Sequence, residues 1–408
     1  MTMTMNDIKF IPENWIPENS NIKAIGVGGG GQNAVTYMYN QHIEGCTFIV
    51  CNTDAQALEN SNVPIKIHLG KGLGAGCDPI KGRNAAEEAM DEIAEKVLDT
   101  GTEMLFVTAG MGGGTGTGAA PVIAAMAKKR GILTVGVVTI PFQNEGRESI
   151  QKAINGIREL EKNVDSLLVI DNEKLYDVYG EMLAKDAYPK ADEILTTAVR
   201  GIVEIIKKKG YVNVDMEDVK TMMRDSGVAL MGIGTGTGEH RLVDAVQGAV
   251  ISPLLNDFDL KTAKNILVNV TSGYNENGLL MKDLAQIDKL IESYTGSASR
   301  FKRGIVYEMD EDFGDKVCIT VIATGFAMES LHGVTDKSLG NLIELTSDYE
   351  YTPDPEIIHD VADNIKIGPS DARNERRFNF TQPPILCNYD GGALAELELT
   401  ASIKRIKH

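Results

Sequence analysis

The chain has 408 residues and a formal net charge of -18, with 43% apolar and 24% charged residues. That length exceeds one ordinary core and implies two domains plus tails. The acidic balance excludes general nucleic-acid binding, which needs a basic face, and non-specific attraction to anionic lipid. No apolar run of about 18 residues occurs, so no membrane insertion is expected. Cys46, Cys51, Cys77, Cys318 and Cys387 form no C-x-x-C pair or metal spacing, and a reducing cytoplasm suits them. His42, His68, His240, His332, His359 and His408 are scattered, so no protein metal site is expected.

Residues 1–20 read as a disordered arm. It lacks the basic start and apolar core of a signal peptide, and Ile11-Pro-Glu-Asn14 is echoed by Ile16-Pro-Glu-Asn19 around Trp15. From Asn21 the chain alternates strand, glycine turn and helix. Ile22–Val27 is a strand, Gly26-Val-Gly-Gly-Gly-Gly-Gln-Asn33 a glycine turn, Asn33–Tyr39 a helix and Cys46–Cys51 the next strand. The turn satisfies G-x-G-x-x-G at Gly26, Gly28 and Gly31, and Asp54 follows roughly 20 residues on. A Rossmann dinucleotide site, and with it a dinucleotide-dependent oxidoreductase, is therefore an alternative.

Two further glycine clusters favour a triphosphate. One is Lys71-Gly-Leu-Gly-Ala-Gly76. The other, Gly110-Met-Gly-Gly-Gly-Thr-Gly-Thr-Gly118, lies between the strand Met104–Ala109 and a helix over Ala119–Lys128. Glycines let backbone N–H groups converge on an anion, and the helix dipole favours negative charge there. Thr115 and Thr117 add hydroxyls. The run has no Lys, so it is not a Walker A loop. With strands at Leu133–Ile140 and Ser166–Ile170, the alternation predicts an α/β fold with a Rossmann-like parallel sheet and helices on both faces. Ligands in such sheets sit beyond the carboxyl ends of the strands.

Residues 191–209 predict a long amphipathic helix, with Ile194, Leu195, Ala198, Ile202, Ile205 and Ile206 at helical spacing and Gly210 as its stop. It reads as a central helix linking two domains. Asn213-Val-Asp215-Met-Glu-Asp218 opens the next helix. An acidic first turn is a good cap, and the same carboxylates are the remaining catalytic candidates. A smaller α/β second domain follows, with strands at Val228–Ile233, Ile266–Ser272, Gly304–Met309 and Lys316–Thr324 and helices near 241–251 and 279–292. Gly234-Thr-Gly-Thr-Gly238 repeats part of the earlier signature and reads as a turn rather than a second phosphate site. Beyond Ser330 the acid-rich, aromatic-poor sequence reads as a disordered linker ending in a short basic tail, Ala401–His408.

These runs carry a family resemblance. Gly26–Ala34, Val50–Leu58, Gly72–Gly76, Gly82–Ala86, Gly110–Pro121, Gly131–Val135, Asn213–Val219 and Ser252–Leu255 follow, in order, the motifs of the tubulin/FtsZ family of GTPases. The resemblance implies a GTP-binding domain over 21–190, a central helix over 191–212, a second domain over 213–328, and a flexible linker and tail over 329–408. It assigns Gly29, Gly30, Gly31, Gln32 and Asn33 to the phosphates, with Gly114, Thr115 and Gly116 in the signature loop. Glu145 falls at a ribose contact, Tyr188 at a stacking position, and Asn172 and Asp192 where guanine is read. An Asp carboxylate can accept from both N1–H and the 2-amino group of guanine. Ser149 stands where many members have Arg, and Arg147 is the other candidate for that phosphate.

Asn213, Asp215 and Asp218 are the implied catalytic residues, acting on GTP held by the next subunit, with Mg²⁺ carried by the nucleotide. The implied assembly is a head-to-tail homopolymer, a contractile ring for bacterial cytokinesis at midcell on the inner face of the cytoplasmic membrane. A tubulin-like filament for plasmid partition is the alternative within the same class. Membrane-anchoring and regulatory division proteins would bind through the tail. The end Ile403-Lys-Arg-Ile-Lys-His408 departs from the family's usual terminal peptide.

Overall fold

The computed structural model describes residues 20–72, 74–208, 212, 214–251, 259–274, 278–296, 298–308 and 313–326, with backbone alone at 177, 178, 184–186 and 188. Residues 1–19 of the arm expected over 1–20, Gly210, Asn213, and the linker and tail lie outside these residues, as does the Tyr188 side chain, while Ser20 is buried.

In chain order, β1 (Ile22–Val27) feeds α1 (Gly28–Asn40), and β2 (Thr47–Asn52) precedes the short α2 (Ala55–Glu59). β3 (Ile65–His68) leads through α3 (Pro79–Glu88) and α4 (Met90–Ile93) to β4 (Met104–Gly110). Then come α5 (Thr115–Lys129), β5 (Leu133–Ile140), α6 (Arg147–Glu161), β6 (Ser166–Asp171), α7 (Lys174–Tyr179) and α8 (Ala184–Lys207). The last part holds α9 (Met216–Met223), β7 (Gly227–Gly236), α10 (Arg241–Val250), β8 (Asn265–Gly273), α11 (Met281–Thr295), β9 (Arg300–Glu308) and β10 (Val317–Phe326).

The ten strands among the described residues form one sheet, in the order β3-β2-β1-β4-β5-β6-β7-β10-β8-β9. The first six run parallel, and the order reverses direction between β1 and β4. Such a switch point leaves a crevice at the strands' carboxyl ends. The strands of the expected second domain are not a detached sheet. They join edge to edge through β6 and β7, from Ser166 opposite Gly227 to Leu168 opposite Ala229. β10 then runs antiparallel between β7 and β8.

β1, β4 and β5 are buried almost throughout. Helices on both faces explain their near-continuous apolar runs. One face carries a core cluster with Ile123 of α5 and Ile157 of α6. The other is organised by α8, whose Leu195, Val199, Ile202 and Val203 share a cluster with Val35 of α1, Met222 of α9 and Leu267 of β8. That buried stripe is the one read from the sequence. The helix begins earlier than expected, at Ala184, and runs through Pro189. The proline falls in the second turn, where it forfeits one i→i−4 hydrogen bond.

Several elements differ from the sequence reading. α1 starts at Gly28, so the first glycine cluster is a helical turn and not a loop before a helix. β3 and α6 form where none was predicted. Gly234 and Gly236 belong to β7 and not to a turn. A Cβ at either would overlap backbone carbonyls of α10, at Ala245 and Arg241. These glycines let a helix lie directly on a strand, and the strand ends only at Gly236.

Candidate functional site

The three glycine clusters meet at the carboxyl ends of β1 and β4. Gly28 has φ +70°, and a Cβ there would stand 2.8 Å from the Gly116 amide. A Cβ on Gly31 would overlap the Thr108 carbonyl oxygen of β4. A Cβ on Gly114 would lie 2.7 Å from the Ala75 Cβ and 2.8 Å from the Asp78 amide, which brings in the third cluster. By contrast, a Cβ on Gly29 or Gly113 would meet nothing within 4 Å. The packed glycines fix the shape, and the open ones face space that a ligand can use.

Polar side chains tie these segments together. Gln32 is 6% exposed. Its Nε2 donates to the Ala57 carbonyl at 2.6 Å and its Oε1 accepts from Asn52 at 3.0 Å. Thr53 shares a 2.6 Å hydrogen bond with Thr115, and its carbonyl accepts the Gly74 amide at 3.0 Å. The Thr117 hydroxyl accepts the Gly112 amide at 2.9 Å and so closes the signature turn on itself. Asn52 and Thr53 were missed in the sequence. Their position straight after a buried strand, beside a glycine turn, was the available signal.

α1 and α5 both point their N-termini into this space. Val27 and Gly114 precede them, and neither helix has a side-chain cap. The first-turn amides are therefore free to bind an anion, with the dipole favouring negative charge. α2 is different. Asp54 accepts from the amides of Gln56 and Ala57 at 2.9 and 3.1 Å, so this carboxylate is a helix cap. The acidic residue that a dinucleotide fingerprint would spend on ribose is committed elsewhere.

Glu145, Ser149 and Asn172 approach from the next strand ends. The Glu145 carboxylate accepts the Phe142 amide at 3.0 Å. The Ser149 carbonyl would stand 3.0 Å from a Cβ on Gly112, which sets the first turn of α6 against the signature loop. The Phe142 ring lies 5.1 Å from that of Tyr176, and the Gln143 amide donates to Glu173 at 3.0 Å. These contacts pin the loop after β5 to the segment after β6, which starts with Asn172. The Asn172 Oδ1 is buried and has no hydrogen-bond partner among the described residues. Buried polar atoms are rarely left so, and a ligand donor would satisfy it.

Asp192 lies on α8, which runs parallel along α1. Arg200 of α8 reaches Gln41 past the C-terminus of α1, and Asp192 and Glu193 act on Tyr37 a turn earlier. Burial pushes the Asp192 carboxyl up to about 6, with no cation among the described residues drawing it back. A half-buried carboxylate without a cation is suited to two ligand N–H donors. Asn33 is exposed at the same end of α1.

Asp215 and Asp218 are elsewhere. Asp215 caps α9, accepting the Asp218 amide at 2.7 Å, while Asp218 accepts the Asp215 amide at 3.3 Å. The capping role that the sequence allowed for this acidic turn is thus realised in the geometry. Lys220 of α9 bridges Glu217 at 2.7 Å and Glu103 at 3.0 Å. Glu103 directly precedes β4, whereas the signature loop follows it. A strand of that length spans about 20 Å. The acidic turn and the glycine cradle of one chain are at opposite ends of the sheet.

No group of three or more His, Cys, Asp or Glu among the described residues could hold a metal ion, and no helix there is long and apolar enough to cross a membrane. Cys46 and Cys51 are buried, and burial raises both thiols well above the usual range.

Comparison with known families matches residues 21–180 to the Tubulin/FtsZ family, GTPase domain, and residues 227–327 to the FtsZ family, C-terminal domain. Cell division protein FtsZ of Pseudomonas putida is 48% identical over 315 residues, covering 76% of this chain and 77% of that one. Its counterpart in Porphyromonas gingivalis is 46% identical over 330 residues, covering 79% and 71%. Among solved structures, an empty FtsZ dimer from M. jannaschii superposes with a TM-score of 0.70 at 37% identity, covering 82% of this chain and 96% of that one. Haloferax volcanii CetZ2, at 19% identity and a TM-score of 0.64, shares the fold over 78% and 97% of the two chains. Neither the oxidoreductase nor the plasmid-partition alternative is favoured by these matches. The chain belongs to the FtsZ family of tubulin-like, guanine-nucleotide-binding GTPases involved in bacterial cell division.

Proposed function

We propose that this GTPase holds GTP in its glycine cradle and hydrolyses it only when the acidic turn of the next subunit closes on the phosphates. The observation that carries this reading is the separation of the two halves by the length of β4. The cradle offers amides and hydroxyls, and neither polarises water well. Asp215 and Asp218 can accept from a water, but in their own chain they face away from the cradle. Stacking subunits head to tail joins the two. The empty FtsZ dimer to which the chain is similar supports such self-association.

In this reading Gly29, Gly30, Gly31, Gln32, Asn33, Gly114, Thr115 and Gly116 bind the phosphates. Glu145 borders the ribose, Ser149 or Arg147 stands at a phosphate, Tyr188 stacks on the base, and Asn172 and Asp192 select guanine. Asp215 and Asp218, with Asn213, orient the attacking water. The water oxygen bonds to the γ-phosphorus as the β–γ bridging bond breaks. GDP leaves with the electron pair, and the water's protons pass to phosphate and solvent. A Mg²⁺ would accompany the triphosphate, whose own oxygens would supply most of its ligands. When bound, that ion neutralises charge on the phosphate oxygens.

The domain division proposed is a GTP-binding part over 21–190, the central helix over 191–212 and a second domain over 213–328. The filament would act at midcell on the inner face of the cytoplasmic membrane, with anchoring and regulatory proteins bound to residues 329–408. Sedimentation with GTP, GDP and ATP tests ligand and assembly together. Polymer is expected with GTP alone, and equal polymer with ATP would remove the guanine assignment.

A further inference from the structure

Lys302 lies on β9, the edge strand at the far end of the sheet from β3. Its Nζ stands 2.8 Å from the Asp218 Oδ1. The other oxygen of that carboxylate, Oδ2, accepts the Asp215 amide. Both Asp218 oxygens are therefore engaged, one by a backbone amide and one by an ammonium. Each still has a lone pair to offer.

Arg300, two residues earlier on β9 and so on the same face of the strand, donates to the Thr221 carbonyl at 3.2 Å. β9 thus grips α9 at two points, one through a backbone carbonyl and one through a carboxylate. The hydrogen bond to Asp218 holds Lys302 above the ordinary lysine range, so it stays charged wherever the enzyme works. The pair is partly exposed, with side-chain exposures of 43% and 28%, and an ion pair of that kind adds little stability. Its use lies in orientation.

We propose that Lys302 is a positioning residue for hydrolysis, fixing the rotation of the Asp218 carboxylate that each subunit presents to its neighbour's triphosphate. The inference rests on the reading of Asp218 given above. Without the ammonium, the carboxylate keeps one tether and can turn about its side-chain torsions. The water it should orient is then held in the right geometry for less of the time.

The test compares Lys302→Met, Lys302→Arg, Arg300→Met and Asp218→Ala as full-length proteins, assayed above the assembly threshold. Lys302→Met should keep the wild-type GTP affinity, KM, thermal midpoint and yield of sedimented polymer. Its kcat should fall about tenfold, within the range that a slightly misplaced group costs. Lys302→Arg should restore most of kcat, because guanidinium can make the same contact. Arg300→Met should leave kcat close to wild type. If Lys302→Met turns over normally while Asp218→Ala is inactive, the positioning role is wrong and the shared site stands. If Arg300→Met loses as much kcat as Lys302→Met, the effect is general loosening of α9 and the positioning role is again wrong. If Asp218→Ala itself turns over normally, the reading of Asp218 fails and this inference with it.

Discussion

At the carboxyl end of β4 the chain leaves polar groups unmatched, and at its amino end it matches them. Around the cradle, α1 and α5 lack caps and, among the described residues, Asn172 Oδ1 lacks a donor and Asp192 is half-buried with no cation. Around α9, Asp215 and Asp218 cap each other, Lys302 holds Asp218, and Lys220 joins Glu103 to Glu217. The first end is built for a ligand that completes it. The second is built to hold its shape while presented to something outside the chain. In the function proposed above, a site divided this way is complete only between subunits, which ties hydrolysis to assembly.

The comparison breaks most visibly at the glycines. Gly31→Ala should destabilise the protein by about 3 kcal/mol or more, because the added methyl meets a backbone carbonyl that cannot move aside. Gly29→Ala has open space and should melt near wild type, with its loss confined to GTP binding. Thermal melts with and without GTP distinguish the two. Equal destabilisation would mean that packing, and not ligand access, governs both positions.

Asp192 gives the next effect. Asp192→Ala should weaken GTP binding by about 1–3 kcal/mol, the range for a charge-assisted hydrogen bond, and erase most of the preference over ATP. Guanine N–H donors bind the ionised carboxylate, whose proton in the free protein leaves at about pH 6. Below that pH a proton must be released for GTP to bind. Affinity should therefore fall as pH drops through about 6, nearing tenfold per pH unit well below it, and be flat above. Calorimetric titrations across that window should find the dependence in wild type and not in Asp192→Asn. A flat wild-type profile would contradict the role given to this carboxylate.

The smallest effect belongs to the matched end. Asp215→Ala removes a helix cap and should cost about 1 kcal/mol in a denaturant melt. GTP affinity of the isolated subunit should not change, since the cap is a strand's length from the cradle. A fall in affinity equal to that of Asp192→Ala would show that the two ends are not independent.

Much of this was legible in the sequence, for identifiable reasons. β1, β4 and β5 are central and covered on both faces, so they read as apolar runs. β3 is a four-residue edge strand, Ile65-Lys-Ile-His68, with too short a pattern to register. α6 carries Ile150, Ile154, Ile157 and Leu160 at helical spacing, a stripe diluted by the polar residues around it. Glycine composition alone reads Gly234 as part of a turn, because a glycine that lets a helix lie on a strand looks the same in sequence as one that bends the chain. Only the atoms opposite it separate the cases. The cradle could be read from local runs. Asn172 and Asp192 came from family resemblance, since each is a single polar residue with no local pattern. The Lys302–Asp218 pair joins residues 84 apart and leaves no mark in sequence.

The most direct test of the divided site is GTPase activity per molecule as a function of protein concentration. The account predicts very low activity below a threshold and a steep rise above it, at the concentration where polymer first sediments. Activity per molecule that stays constant down to the lowest dilution would mean one chain holds the whole site, and would contradict the account.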